Sequence, residues 1–299
     1  MIPLPRCRPA GRAALALCLA ALAPFAPARA DDFKAGDPSA FWPGTVDLTR
    51  SAGMGGAHSA IATGNDALLV NPAGLSQSKR YHFEVDGGFD SRSNARVYSV
   101  SLVDSASIAA GSGLLFQNWS SGSEPDGRAT GWLGGIGYSY FTGNFFFGGT
   151  TKYLHFNGSY GEIRSFMQDV GMLVRLGDFS VSAVIQNLST STVPLFPVNS
   201  TIGIAWGSDL DWHLAFDYKT DLSDTDHLKH RLNSGLEILL DRSWVIRGGY
   251  SWDITSSLGA WSVGTSIVTD KLGVHVAWRR RLQGPLDQFF EVGLTVYLE

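Results

Sequence analysis

From Tyr81 to the end of the chain, apolar and polar residues alternate with a period of two. Over residues 212–219, Trp212, Leu214, Phe216 and Tyr218 share one face, and His213, Ala215, Asp217 and Lys219 the other. Over 290–298, Phe290, Val292, Leu294, Val296 and Leu298 oppose Glu291, Gly293, Thr295 and Tyr297. Val170, Met172, Val174 and Leu176 oppose Asp169, Gly171 and Arg175; Trp244, Ile246, Tyr250 and Trp252 oppose Arg247, Gly249 and Ser251. Successive side chains of a strand point to opposite faces, so this pattern predicts strands. No stretch of helical period competes with it.

Fourteen such strands are expected, centred near Phe83, Val100, Leu115, Ile136, Thr151, Met172, Ala183, Ile204, Leu214, Leu236, Gly248, Val263, Val276 and Leu294. Residues 81–299 then allow about 16 positions per strand and connection, where a spanning strand needs roughly 9–11. Connections after odd strands read as long or polar (90–94, 118–129, 157–164, 189–199, 221–230, 253–259, 283–287). Those after even strands read as short (104–107, 142–144, 177–178, 208–211, 241–243, 269–271). Long loops outside, short turns inside and apolar faces ending in Trp or Tyr belong to an outer-membrane barrel. A soluble β-sandwich gives no reason for that alternation. The expected class is an all-β, transmembrane, antiparallel up-and-down β-barrel, with an N-terminal plug segment in its lumen.

Composition agrees: of 299 residues, 12% are aromatic, 17% charged and 35 are glycine. Residues 1–30 read as a secretory signal, with Arg6, Arg8 and Arg12 before an apolar stretch 13–23 and an Ala28-Arg29-Ala30 cleavage site. That stretch is too short for a permanent span. Cys7 and Cys18 would leave with it, so no disulfide is expected. Removing four arginines of the signal from 23 basic residues leaves 19 against 27 acidic ones, a net charge of −8. Nucleic-acid binding, which needs a basic face, is not expected. The domains expected are the signal 1–30, an arm and plug 31–80, and the barrel 81–299. The arm 31–49 is polar, with Pro38, Pro43 and a single Trp42.

The stretch 50–75 precedes the alternating region. Gly53, Gly55 and Gly56 suit tight turns or close approach; Ala57, Ala60, Ala62, Ala67 and Leu68 form a small-residue run, which Asn71-Pro72 stops. A dinucleotide loop is excluded because His58 occupies the third glycine position. Asn71-Pro72-Ala73 lacks the long apolar helix of a water channel. The blocks Arg50, Gly53-Met54-Gly55-Gly56-Ala57 and Asn71-Pro72-Ala73-Gly74-Leu75 resemble the R-x-x-G-M-G-G-A and N-P-A-G-L signature of the FadL-like outer-membrane superfamily. That group holds long-chain fatty-acid transporters and the shorter PorV/PorQ-type barrels.

The resemblance implies a fourteen-stranded barrel in the outer membrane of a diderm bacterium, plugged by 50–75. It implies passage of a small hydrophobic, fatty-acid-like molecule, or alternatively a PorV/PorQ-like anchor for exported proteins. Leu195 and Phe196, in the loop 189–199, lean toward the anchor, and the loop 221–230 would join its contact surface. Gly111 and Gly113 would mark a kink opening the third strand of the wall, or would make room for the plug. The C-terminal run Glu291–Leu298 resembles the signal read by barrel-insertion machinery. Among inward charges, Arg247 and Arg279 are candidates for holding a ligand carboxylate, since guanidinium binds carboxylate as a bidentate fork. With Arg175 and Lys219 they could instead belong to a paired network bracing the plug. Neither enzyme nor cofactor or metal site is expected. His227 and His230 lie in a loop, no G-x-S-x-G elbow occurs, and Asp221, Asp224 and Asp226 lack calcium-loop spacing.

Overall fold

The structure, a computed structural model, describes residues 48–298 except 92–93, 108–109, 122–128, 159–160, 190–195, 210, 225 and 283–287. The expected signal, the arm up to residue 47, Leu195 and Glu299 lie outside the described residues. The strands are β1 (Tyr81–Asp90), β2 (Ala95–Asp104), β3 (Ala110–Ser121), β4 (Ala129–Thr142), β5 (Phe145–Gly158), β6 (Gly161–Leu176), β7 (Phe179–Ser189), β8 (Asn199–Ser208), β9 (Trp212–Asp221), β10 (Lys229–Leu240), β11 (Trp244–Asp253), β12 (Leu258–Val268), β13 (Leu272–Arg281) and β14 (Gln288–Leu298). Each pairs antiparallel with its sequence neighbours, and β1 closes on β14 from Tyr81↔Leu298 to Asp90↔Phe289. Closure leaves no open edge. Every expected strand centre falls inside a strand.

The two faces separate as the alternation requires. Tyr138, Phe166, Ile202 and Trp206 are more than half exposed on the outside, while Lys152, Asp169, Asp217 and Glu291, on the inward parity, are buried. A bare charge on the lipid face costs roughly 2–4 kcal/mol at midplane, so the polar parity turns inward. The turns 143–144, 177–178, 241–243 and 269–271, with residues 209 and 211, lie at the end of the barrel that carries Tyr81 and Leu298, the short-turn end. One expected connection is wrong. Most of 157–164 is ladder, with Phe156↔Ile163, Asn157↔Glu162 and Gly158↔Gly161 paired. Its polar residues form a surface cluster, His155 and Arg164 on Glu162 at 2.9 and 2.5 Å, rather than a loop. Among the described strands the ladders shift register only between β6 and β7, at Gln168/Val170.

Residues 48–80 run inside the ring as a short helix α1 (Thr49–Gly53) and two 3₁₀ turns, Gly64–Leu68 and Pro72–Ser76. Gly55 and Gly56 take φ of 66° and 79°, the left-handed region that glycine enters without steric cost. Asn71 caps the second 3₁₀ turn by accepting from Ala73 N at 3.1 Å, with Pro72 at its first position, where no donor is lost. The wall is recessed to receive this segment. A Cβ on Gly235 would lie 2.5 Å from Met54 O, one on Gly111 2.6 Å from Leu75 O, and one on Gly137 2.6 Å from Leu68 Cδ2. A Cβ on Gly148 would overlap Pro72, and one on Gly171 would overlap Asn71.

Of the two expected roles of Gly111 and Gly113, these recesses bear on room for the segment. β3 pairs with β4 without a register shift through Gly111 and Gly113, and with β2 as far as Ser112. Both glycines face the segment, Gly113 with Leu68 Cδ2 3.0 Å from its would-be Cβ.

Candidate functional site: a two-sided lumen

On the β9–β14 side the lumen is polar. Glu237 on β10 accepts from Arg50 at Oε1 (2.7 Å from Nη2) and Oε2 (3.0 Å from Nε), and from Arg247 Nε at 2.6 Å. Arg50 Nη1 also donates to Thr63. From Arg247 a chain of hydrogen bonds crosses the wall: Arg247 to Ser266, Ser266 to His275 Nδ1 (2.7 Å), His275 Nε2 to Thr295 (2.9 Å), and Thr295 to Glu84 (2.7 Å). In the other direction His213 Nδ1 stands 3.6 Å from Glu237, and its Nε2 3.1 Å from Asp209. Asp209 in turn binds Arg175, which donates to Gln77 of the segment. Further from the short turns, Asp217 accepts from the backbone N–H groups of His58 and Ser59 and from the Ser59 hydroxyl, at 2.6–3.0 Å. The conformation of the segment is therefore written into wall carboxylates. The hydrogen bond from His213, helped by the charge of Arg175, holds the Asp209 carboxyl on its turn below the usual carboxylate range.

On the β2–β6 side the lumen carries an apolar cluster, beside the buried Lys152–Asp169 ion pair of β5 and β6. Val97, Trp119, Leu133, Leu154, Phe156 and Met167 are each buried to 4% exposure or less and pack in one cluster with Leu68 and Leu75 of the segment. Phe289 joins from β14. Phe196, from the β7–β8 connection, turns down into the cluster at 5% exposure, its ring 5.7 Å from that of Trp119. The column thus runs from a loop residue at one end to the segment, with no charged side chain in the cluster.

No family model matches the chain, and no curated protein matches it in sequence. Solved structures do match. The CymD monoaromatic hydrocarbon channel superposes with a TM-score of 0.68 at 14% identity, covering 84% of this chain and 97% of that one. The toluene transporter TbuX of Ralstonia pickettii gives 0.65 at 12% identity, over 84% and 98%. A Pseudomonas aeruginosa FadL homologue gives 0.64 at 11%, over 83% and 98%. The chain has the FadL-like outer-membrane barrel fold.

Within this FadL-like barrel the four cations singled out from sequence do not converge. Arg247 and Arg175 lie at the short-turn end, on Glu237 and Asp209. Lys219 and Arg279 lie near the opposite ends of β9 and β13, half-buried, with the Arg279 guanidinium 5.6 Å from the Phe289 ring. Arg247 is engaged by Glu237 and Ser266, whereas Arg279 lies over the Phe289 ring. Of the signature residues, Arg50 and Asn71 make side-chain hydrogen bonds, to Glu237 and to Ser59 O, while Met54, Pro72, Ala73 and Leu75 pack by contact. Phe196 corrects a second expectation: it faces the lumen and is not part of an outer contact surface. Trp119, Phe156 and Phe289 were missed, although each stands on the inward parity of its strand, where an aromatic is out of keeping with a polar lumen.

Proposed function

We propose that the protein passes a small, uncharged, hydrophobic molecule across the outer membrane of a diderm bacterium along the apolar side of its lumen. The observation that carries this reading is the uninterrupted column from Phe196 and Trp119 to Leu68 and Leu75. Burying apolar surface there is favourable by roughly 25 cal/mol per Å², so capture needs no energy source. The polar network stays on the other side of the lumen, where it fixes the segment. That the fold is shared with channels for monoaromatic hydrocarbons and toluene supports a ligand of that size and apolarity. The segment acts as a plug: it seats its backbone in glycine recesses around the ring, so passage proceeds by local yielding of Phe196, Leu68 and Leu75, with the plug held in place. The burial of Phe196 takes one of the two loop residues that favoured a surface anchor away from the outer surface.

The test is uptake of radiolabelled toluene by cells lacking the gene, with and without the plasmid-borne protein. The wild-type protein restores uptake, and Trp119→Arg, a charge set in the column, abolishes it while the heat-modifiable barrel band persists. Equal uptake with and without the protein sinks the proposal, as does a stoichiometric exported protein co-purifying with an inert barrel.

A further inference from the structure

Trp119 is 1% exposed, and its indole Nε1–H, which can only donate, has no acceptor among the described residues. Two positions back on the inward parity of β3, Gln117 is 3% exposed, and its amide Nε2 has no partner among them either. Both stand within the apolar column. Gln117 lies between Leu115 and Trp119 along the strand and opposite Leu133 on β4, all three of the cluster. The indole lies over Gly131, with Nε1 2.9 Å from the place a Cβ would take, so the missing side chain admits it. Toward the short-turn end, the hydroxyls of Ser139 and Thr150 are also buried without partners. Thr150 Oγ1 lines the Gly137 recess that receives Leu68 and Leu75. Asp169, across the ladder from Thr150, has an unpartnered Oδ2, although Lys152 meets its charge. Unpartnered atoms occur on the polar side too, at Asn65 and Asp86, but Ser101 and Thr49 bond those same side chains and give a bridging water polar neighbours. Trp119 instead faces Val97 and Gly131 across the ladders and the Phe196 ring. A buried donor without an acceptor carries its whole desolvation cost, which an apolar residue at the same place would not.

We propose that Trp119 and Gln117 form a binding site, within the column, for an uncharged single-ring aromatic that carries an acceptor oxygen: a ketone, an aldehyde or an alcohol. The oxygen accepts from Trp119 Nε1 and Gln117 Nε2 as Phe196 yields, and the ring lies against Val97, Leu133 and Phe156. The Thr150 and Ser139 hydroxyls offer the same oxygen a second hold beside Leu68 and Leu75. A hydrocarbon of equal shape leaves these groups unpaired and is held less well, since a site with polar groups to satisfy discriminates against the analogue that lacks the matching atom. This inference rests on the transport reading and names the class of molecule within it.

The test is competition in cells that carry the full-length protein. Unlabelled acetophenone and cumene, alike in shape and different in the oxygen, compete with radiolabelled toluene for protein-dependent uptake. The quantity read is the ratio of their half-inhibitory concentrations, cumene over acetophenone. Because each compound is compared with itself between proteins, its partition into the membrane cancels. Trp119→Phe and Gln117→Met should each lower that ratio at least about fivefold, the worth of a neutral hydrogen bond. A second measurement needs no variant beyond the one that assigns the signal. In protein isotope-labelled on its tryptophan indoles and held in micelles, the Trp119 indole proton resonance should move downfield with acetophenone relative to cumene. An unchanged ratio in both variants, or an indole proton that responds alike to the two compounds, overturns the inference while transport of toluene stands. If wild-type cells show no protein-dependent toluene uptake, the transport reading falls, and the indole resonance alone decides whether the acceptor site exists.

Discussion

Lys152 and Asp169 form an ion pair on the inner wall, Nζ to Oδ1 2.8 Å, with side chains 4% and 0% exposed. They sit where β6 and β7 shift register. Asn187, at φ 60°, donates its N–H to Asp169 and accepts from Lys152 at 2.6 Å. Its amide also reaches Pro197 O, next to Phe196. The extra residue on β7 thus ties a buried charge pair to the loop that carries the aromatic stopper.

Removing one partner of such a pair leaves the other charge buried and unpaired, at a cost of about 3–5 kcal/mol. Lys152→Met should lower the unfolding free energy by that much, and Lys152→Met with Asp169→Leu should recover part of it. Urea unfolding of the barrel folded in lipid vesicles reads both. A single variant as stable as the wild type would show that the pair is hydrated.

Phe196→Ala should open the top of the column. Toluene uptake should rise, and the emission of Trp119, in a background where the other tryptophans are phenylalanine, should shift to the red as water reaches it. Slower uptake would mean that Phe196 helps capture the molecule instead of obstructing it.

The recesses predict a sharp difference among glycines. A Cβ at Gly148 meets the Pro72 backbone and one at Gly235 meets Met54 O, whereas one at Gly248 meets nothing within 4 Å. Gly148→Ala and Gly235→Ala should each cost about 1–3 kcal/mol in urea unfolding, through overpacking. Gly248→Ala should stay within about 0.5 kcal/mol of wild type. Uniform effects at all three positions would refute a tightly seated segment.

Asp209 predicts a pH dependence. Its depressed carboxyl contributes stability above the unfolded value of about 3.9, and that contribution is lost as pH falls through the folded value. Below about pH 5.5, where a histidine partner is protonated, the stability gap between wild type and Asp209→Asn should therefore close as the solution is made more acid. Parallel unfolding series for the two proteins measure it, and a gap that widens on acidification would reverse the assignment.

Strand positions were legible because lipid outside and polar lumen inside impose a period of two on every strand, and that period survives without any knowledge of partners. The β5–β6 hairpin was misread since His155, Glu162 and Arg164 look like loop residues until their cross-strand pairing is seen. Arg50 could be singled out by its place in the signature, but its partner could not. Glu237 lies 187 positions away, and closure of the ring alone brings it near. The two-sidedness of the lumen was hidden for a related reason. Trp119, Phe156 and Phe289 stand on different strands, and each alone reads as one aromatic on a polar face. Inward glycines were the unused signal, since the same parity carries Gly111, Gly113, Gly137, Gly148 and Gly171 along the strands that face the segment.

Those recesses also bear on how the molecule is assembled. Thr49 binds Asp86 on β1 at 2.7 Å, and Gly53 O accepts from Ser262 on β12, so α1 bridges the two sides of the β1–β14 seam. The chain carries an internal former, synthesised ahead of the strands that must close around it. A ring hollowed to fit that former has matching voids without it, so wall and former complete each other's packing and neither is close-packed alone.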